Sequence, residues 1–279
     1  DRRQRQMCIR DRLLTISWII YYELDSVIIG RLLGAEAVAI YAIAFSMLSF
    51  FRAILGVVYS PYQTRLNYFK ATDDFENMKN FSRNIIVFSF PLVVFPILII
   101  YVNMGPIVMS WVGDGYFSSI AVAKLLVLCN LFAFISYPGG QLLSTNEKTV
   151  EMSRIAWVIP LVYWIGIGMT YRYYGLESFG YFKLLAFIVS IIFYSRYLSN
   201  FFSLSIIELF AKILQPYYKI IIIQFPLLLA CRPLFQVEHS KTSLFTNVLL
   251  LISLFLISTV LLLLFDTPYK TEIGKRLKR

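Results

Sequence analysis

Residues 243–265, SLFTNVLLLISLFLISTVLLLLF, form an uncharged run long enough to cross a lipid bilayer as one helix. About 20 helical residues span the hydrocarbon core, where every backbone amide must be paired within the helix. Similar apolar runs precede this one, near residues 13–30, 38–60, 83–103, 119–141, 154–171, 178–196 and 214–234. The sequence therefore predicts an all-α fold, a polytopic transmembrane helical bundle of about eight spans.

The composition agrees with a membrane protein. The chain is 58% hydrophobic and 15% charged, with a mean hydropathy of +0.69. A soluble domain carries about 25% charged residues. A water-soluble fold would have to bury all of these apolar runs in one core, whereas a bilayer accepts them directly.

The basic residues predict the orientation in the membrane. Of the 26 Lys and Arg residues, 18 lie in the N-terminal segment, the loops after spans two, four and six, and the C-terminal tail, while four lie at the opposite end. Positively charged loops stay in the cytoplasm. We therefore predict a multi-pass protein of the cytoplasmic (inner) membrane with both ends of this chain cytoplasmic. Because the +10 net charge sits in short loops, we expect no nucleic-acid partner.

The chain divides into five predicted parts. Residues 13–196 form a six-span lobe, 197–213 an amphipathic connector at the interface, 214–265 two further helices, and 266–279 a basic tail attracted to anionic lipid headgroups. Residues 1–12, DRRQRQMCIRDR, form a basic segment unlike the rest of the chain. The stretch MCIRDR resembles a recurrent translation artefact of assembled environmental reads, so the sequence leaves open whether this segment is native.

Spans one and two contain the first candidate binding residues. An ionisable side chain inside a span marks a functional site by default, which makes Asp25 a candidate; the alternative is pairing with a neighbouring helix. At 100° per residue, Arg52 shares one stripe of span two with Ser49 and Tyr59. A guanidinium is always charged and matches phosphate oxygens, so Arg52 is our main ligand-contact candidate; the alternative is snorkelling towards the cytoplasmic interface.

Span six supplies a second predicted stripe that faces a cavity. Lys183, Ser190, Tyr194 and Tyr197 lie within about 60° of one another on an ideal helix. We take Lys183 and Tyr194 as candidate contacts to substrate. For Lys183, the sequence leaves snorkelling and ligand contact as equal alternatives.

No motif predicts a metal or an organic cofactor. Gly166 and Gly168 of span five do not form a nucleotide fingerprint, because no strand precedes them and the third glycine is absent; we interpret them as helix-packing residues. The three cysteines and the single histidine are scattered, with no CxxC pair. A coupling cation, H⁺ or Na⁺, is left open.

Two segments resemble a known family. The stretch Asp25-Ser-Val-Ile-Ile-Gly30, followed by Leu33-Gly34, Val38 and Tyr41, resembles the start of the second half of polysaccharide flippases. These are the O-antigen and capsule repeat-unit translocases of the multidrug/oligosaccharidyl-lipid/polysaccharide exporter superfamily. The turn Gln141-Leu-Leu that ends span four, with Asn146 and Lys148, is similar to the corresponding turn of that family.

The resemblance implies a transporter that works by alternating access. Family members have two six-helix lobes, and the longer ones carry two further helices. Six spans, a connector and two more spans match the C-terminal portion of that plan, which implies a fragment whose partner is a missing N-terminal lobe. The implied substrate is a polyprenyl-diphosphate-linked oligosaccharide moved across the cytoplasmic membrane for surface polysaccharide, such as lipopolysaccharide, with membrane lipids as the surroundings.

Three alternatives stay open, one of them a structural or assembly membrane subunit without transport. A multidrug and toxin extrusion exporter of the same superfamily would use a buried carboxylate such as Asp25 for cation coupling. A membrane glycan polymerase or ligase generally needs a long outward loop with catalytic residues. The longest such loop, 104–118, has one carboxylate and no histidine, so we do not expect an enzyme.

Overall fold

The computed structural model describes the backbone of residues 2–265 and 268 and the side chains of residues 12–265 and 268. The basic segment 1–12 and the tail 266–279 therefore lie almost wholly outside the described side chains. Within the described residues the secondary structure is helical, with no strand. The helices are α1 (Arg2–Tyr22), α2 (Leu24–Leu33), α3 (Ala35–Ala71), α4 (Phe75–Val102), α5 (Met104–Val112), α6 (Ser119–Leu128), α7 (Ala133–Thr145), α8 (Thr149–Tyr174), α9 (Glu177–Phe202), α10 (Ile206–Leu214), α11 (Tyr218–Cys231) and α12 (Lys241–Leu264).

The predicted all-α polytopic bundle is confirmed. Within the described residues, six stretches are long and apolar enough to cross a membrane: 12–33, which joins α1 to α2, and the helices α3, α4, α8, α9 and α12. Two bent pairs raise the number to eight if each crosses as one span. They are α6 with α7, bent by 48°, and α10 with α11 and the turn after it, bent by 66°.

The bend between α6 and α7 coincides with a tighter hydrogen-bonding pattern and a contact with α3. The amide of Asn130 bonds the carbonyl of Val127 at 3.1 Å, and the amide of Leu131 bonds that of Leu128 at 2.9 Å, which is the tighter 3₁₀ pattern. The Asn130 side chain donates to the carbonyl of Leu48 on α3 at 3.3 Å. The break is therefore fixed by packing against α3, in the middle of predicted span four.

Helix ends depart from the predicted segments at several places: α4 begins at Phe75 rather than at residue 83, and α5 lies within the predicted loop 104–118. Helix α3 runs past Pro61 to Ala71, beyond the predicted end at residue 60. Helix α9 runs to Phe202, so the first part of the predicted connector 197–213 continues the last helix of the lobe. The remainder is α10, whose capping box is formed by Ser205 and Glu208.

The last two helices pack on the lobe through α4 and α5. Leu228 of α11 and Leu254 of α12 are buried in one cluster with Ile99 of α4. On α12, the Asn247 amide donates to the Ser110 hydroxyl of α5 at 3.0 Å. Asn247 of α12 thus faces the lobe, whereas large apolar side chains of the same helix such as Phe245, Leu256 and Leu264 are exposed.

Candidate functional site

A cavity of about 390 Å³ opens between α1, α3, α7, α8 and α9. It extends from Arg52, in the middle of α3, to Gln63, eleven residues later, which is about 16 Å along a helix. Gln63 lies towards the end of the bundle that the loop charges predict to be cytoplasmic. Among the described residues that line the cavity, Arg52 is the only charged one.

Aromatic rings hold the Arg52 side chain at the cavity wall. Its guanidinium carbon lies 4.1 Å from the ring centroid of Tyr22 and 5.9 Å from that of Trp18. These two rings are stacked 4.6 Å apart, because positions four residues apart share one face of α1. Within residues 12–265, no carboxylate lies at salt-bridge distance from Arg52. The two rings therefore orient the guanidinium, and no carboxylate of the described residues neutralises its charge.

Polar groups from α7 and the α6–α7 break line the wall around Arg52. The Tyr137 hydroxyl donates to the Arg52 carbonyl at 3.3 Å, and Asn130 and Gln141 also face the cavity. The Gln141 amide nitrogen donates to the carbonyl of Tyr59 at 2.6 Å, while its buried Oε1 accepts no hydrogen bond in the described part of the chain. This amide oxygen is thus buried and unsatisfied within the described residues.

A buried ion pair lies behind the cavity wall. Lys183 of α9, 0% exposed, bonds the carboxylate of Asp25 of α2, 1% exposed, and also donates to the carbonyl of Tyr21 at 3.1 Å. The hydroxyl of Tyr163 donates to Asp25 Oδ1 at 2.7 Å, and the hydroxyl of Tyr41 donates to Oδ2. Both carboxylate oxygens and the ammonium are therefore satisfied, and the pair joins α2, α3, α8 and α9.

The structure separates the predicted site residues into three groups. Arg52 and Tyr194 line the cavity together. Asp25 and Lys183 bond each other, so the predicted stripe of span six divides: Ser190 and Tyr194 face the cavity, and Lys183 turns away from it. The remaining two candidates do not line the cavity.

These two candidates are Ser49 and Tyr59. Tyr59 is buried, and its ring stacks on that of Tyr137 with the centroids 4.8 Å apart. Ser49 is partly buried on α3 and does not line the cavity. Of the three residues on the predicted stripe of span two, Arg52 lines the cavity, whereas Ser49 and Tyr59 do not.

Sequence reasoning missed the aromatic half of the site. Trp18, Tyr22 and Tyr137 were not among the predicted contacts, although they surround Arg52. The spacing of Trp18 and Tyr22 by four residues was a usable signal for one aromatic face. Nothing local indicated that this face meets Arg52, because α1 and α3 come together only through packing.

Within the described residues, no group of three or more His, Cys, Asp or Glu side chains lies close enough to hold a metal ion. Comparisons with protein-family models, with curated proteins and with solved structures found no match to this chain. The resemblance to polysaccharide flippases therefore stays a prediction from the sequence.

Proposed function

We propose that this chain forms one lobe of a membrane transporter that moves polyprenyl-diphosphate-linked oligosaccharides by alternating access for surface polysaccharide synthesis. The observation that supports it most is the Arg52 guanidinium, which lines a cavity inside an apolar bundle where no described residue of the lining is a carboxylate. The rest of the cavity would come from a second lobe, as the resemblance implies. The location we propose is the cytoplasmic membrane.

The charge of the cavity fits an anionic group. A guanidinium offers a planar fork of donors that binds two phosphate oxygens at once. No described Asp or Glu lines the cavity to repel a diphosphate or to neutralise Arg52. In a membrane interior of low dielectric constant, a partly buried cation of this kind is costly unless it contacts an anion or water.

The walls of the cavity fit a saccharide beside that anion. Trp18, which is 53% exposed, and Tyr137 contribute aromatic surface, and Asn130 and Gln141 contribute polar groups. Small-molecule sites combine apolar and aromatic walls with a few placed polar groups in volumes of about 300–1,000 Å³. A cavity of about 390 Å³ accommodates a diphosphate with the first sugar rather than a whole oligosaccharide.

The ion pair weighs against the cation-exporter alternative. That mechanism needs a carboxylate that a cationic drug or coupling ion reaches from the cavity. Asp25 is instead fully bonded by Lys183, Tyr41 and Tyr163, and it is buried behind the wall. The arrangement supports an anionic substrate over a cationic one.

Binding of a diphosphate lipid by the purified chain in lipid nanodiscs tests the proposal. Geranylgeranyl diphosphate is the probe, followed through tryptophan fluorescence because Trp18 lies in the cavity. We expect Arg52→Gln to weaken binding at least about tenfold, since a hydrogen bond to a charged group contributes about 1.5–3 kcal/mol.

Arg65→Gln is the matched control. Arg65 lies on the same helix and also stacks on an aromatic ring, at 5.2 Å from the Tyr68 centroid, but it is outside the cavity. The control should bind the probe as the parent chain does. Equal binding by Arg52→Gln and the parent chain, or preferred binding of tetraphenylphosphonium over the diphosphate, would count against the proposal.

A further inference from the structure

A second depression lies at the end of the bundle where α4 begins and α9 ends. Its volume is about 290 Å³. The floor is made of buried apolar side chains of three helices, Phe202, Leu209 and Ile213 among them. Two cations from different helices, Arg83 of α4 and Lys212 of α10, stand beside this floor, and both are exposed.

Lys212 has an acidic neighbour, Glu208, which interacts with it electrostatically without forming a salt bridge. Neither Lys212 nor Arg83 makes a salt bridge within residues 12–265. Glu208, one turn before Lys212, uses its carboxylate in the capping box, where it accepts from the Ser205 amide at 2.8 Å. The depression thus combines two exposed cations that make no salt bridge in the described part of the chain, the amide of Asn84 and an apolar floor.

The position of α10 places the depression at a membrane boundary. The helix buries Leu209 and Ile213 against the bundle, whereas Ile207 on another face is 82% exposed. It is bent by 66° from α11, as expected of a helix that lies along the interface before the chain enters the bilayer. The loop charges predict this end to be cytoplasmic.

We propose that this depression binds one anionic glycerophospholipid of the cytoplasmic leaflet. Arg83, Lys212 and the Asn84 amide donate to the lipid phosphate, and an acyl chain packs on Phe202, Leu209 and Ile213. A zwitterionic lipid carries a cationic group that the two basic residues repel, so the site favours an anionic headgroup. A free phosphate would leave the apolar floor uncovered. This site shares no lining residue with the proposed transport cavity, so the two proposals are tested independently.

Native mass spectrometry of the full chain in detergent micelles measures the occupancy. Phosphatidylglycerol, phosphatidylcholine, glycerol 3-phosphate and geranylgeranyl diphosphate are the four probes. We expect the first to be retained best. A basic residue near the surface contributes about fivefold to binding of an anionic lipid, so Arg83→Gln/Lys212→Gln should lower phosphatidylglycerol affinity by about thirtyfold.

A charge-matched control separates this site from general basicity. Arg154→Gln/Arg196→Gln removes two exposed cations predicted to lie on the same side, outside the depression, and should change binding less than twofold. Lys212→Gln alone, on an exposed position, should cost about fivefold if the double variant does not fold. Equal losses in the control pair, unchanged binding in either test variant, or tighter retention of glycerol 3-phosphate or geranylgeranyl diphosphate would overturn the proposal.

Discussion

At the residue scale, Asp25 and Lys183 show how a charge is kept inside an apolar bundle. Moving two ions out of water costs several kcal/mol each, and their attraction offsets this only when the remaining hydrogen-bonding groups are also satisfied. Here the hydroxyls of Tyr41 and Tyr163 donate hydrogen bonds to the Asp25 carboxylate. The Tyr21 carbonyl accepts a hydrogen bond from the Lys183 ammonium. The pair therefore depends on both members being present.

Removing one partner should be costly. Asp25→Asn leaves the Lys183 ammonium buried without its counter-charge, so we expect the free energy of unfolding to fall by about 3–5 kcal/mol. Asp25→Asn/Lys183→Gln contains no buried charge and should regain most of the lost stability. Loss of helical circular dichroism during titration with SDS in mixed micelles measures both variants.

Asp114→Asn, in an exposed turn, is the control for this experiment and should leave stability unchanged. The stabilising role of the pair is refuted if the double variant proves less stable than both Asp25→Asn and Lys183→Gln. It is equally refuted if Asp25→Asn unfolds like the parent chain.

At the scale of the element, α8 and α9 are joined by a close contact at one glycine. A Cβ atom built on Gly166 would lie 1.9 Å from Cδ1 of Phe182, whereas one built on Gly168 would meet nothing within 4 Å. The prediction that both glycines serve helix packing thus holds for Gly166 and is wrong for Gly168. The helix period distinguishes two faces, but only the packed structure identifies the one that meets α9.

The two glycines form a matched pair of substitutions. Gly166→Ala forces the Phe182 ring away from α8, and overpacking of this kind costs about 1–3 kcal/mol. Gly168→Ala adds a methyl group in open space and should be neutral or stabilising by up to about 1 kcal/mol, through helix propensity. Thermal unfolding of the two variants in one detergent compares them, and equal midpoints would contradict the contact.

At the scale of the whole molecule, the number of crossings depends on the bent pair α6–α7. If the pair crosses the bilayer once, the turn before α6 and the end of α7 lie on opposite sides. If it re-enters, they lie on the same side. The loop charges predict a crossing, with the end of α7 in the cytoplasm.

Cysteine labelling distinguishes these topologies. Ser118 and Ser144 are exposed at the two ends of the pair, and each tolerates a cysteine of similar size. In a background without Cys8, Cys129 and Cys231, we expect a membrane-impermeant maleimide added to intact cells to label Ser118→Cys. Ser144→Cys should react only after the cells are permeabilised. Labelling of both positions from one side would exclude a single crossing.

The sequence alone determined the all-α bundle and its approximate spans, because the length of each apolar run is visible locally and can be compared directly with the thickness of a bilayer. It also singled out Arg52, which lines the cavity, since the faces of an isolated helix follow from its period. The tertiary structure decided that Lys183 pairs with Asp25, 158 residues away, and that the Trp18–Tyr22 face covers Arg52. Those partners lie on separate helices, and which faces meet depends on packing across the bundle rather than on any local pattern.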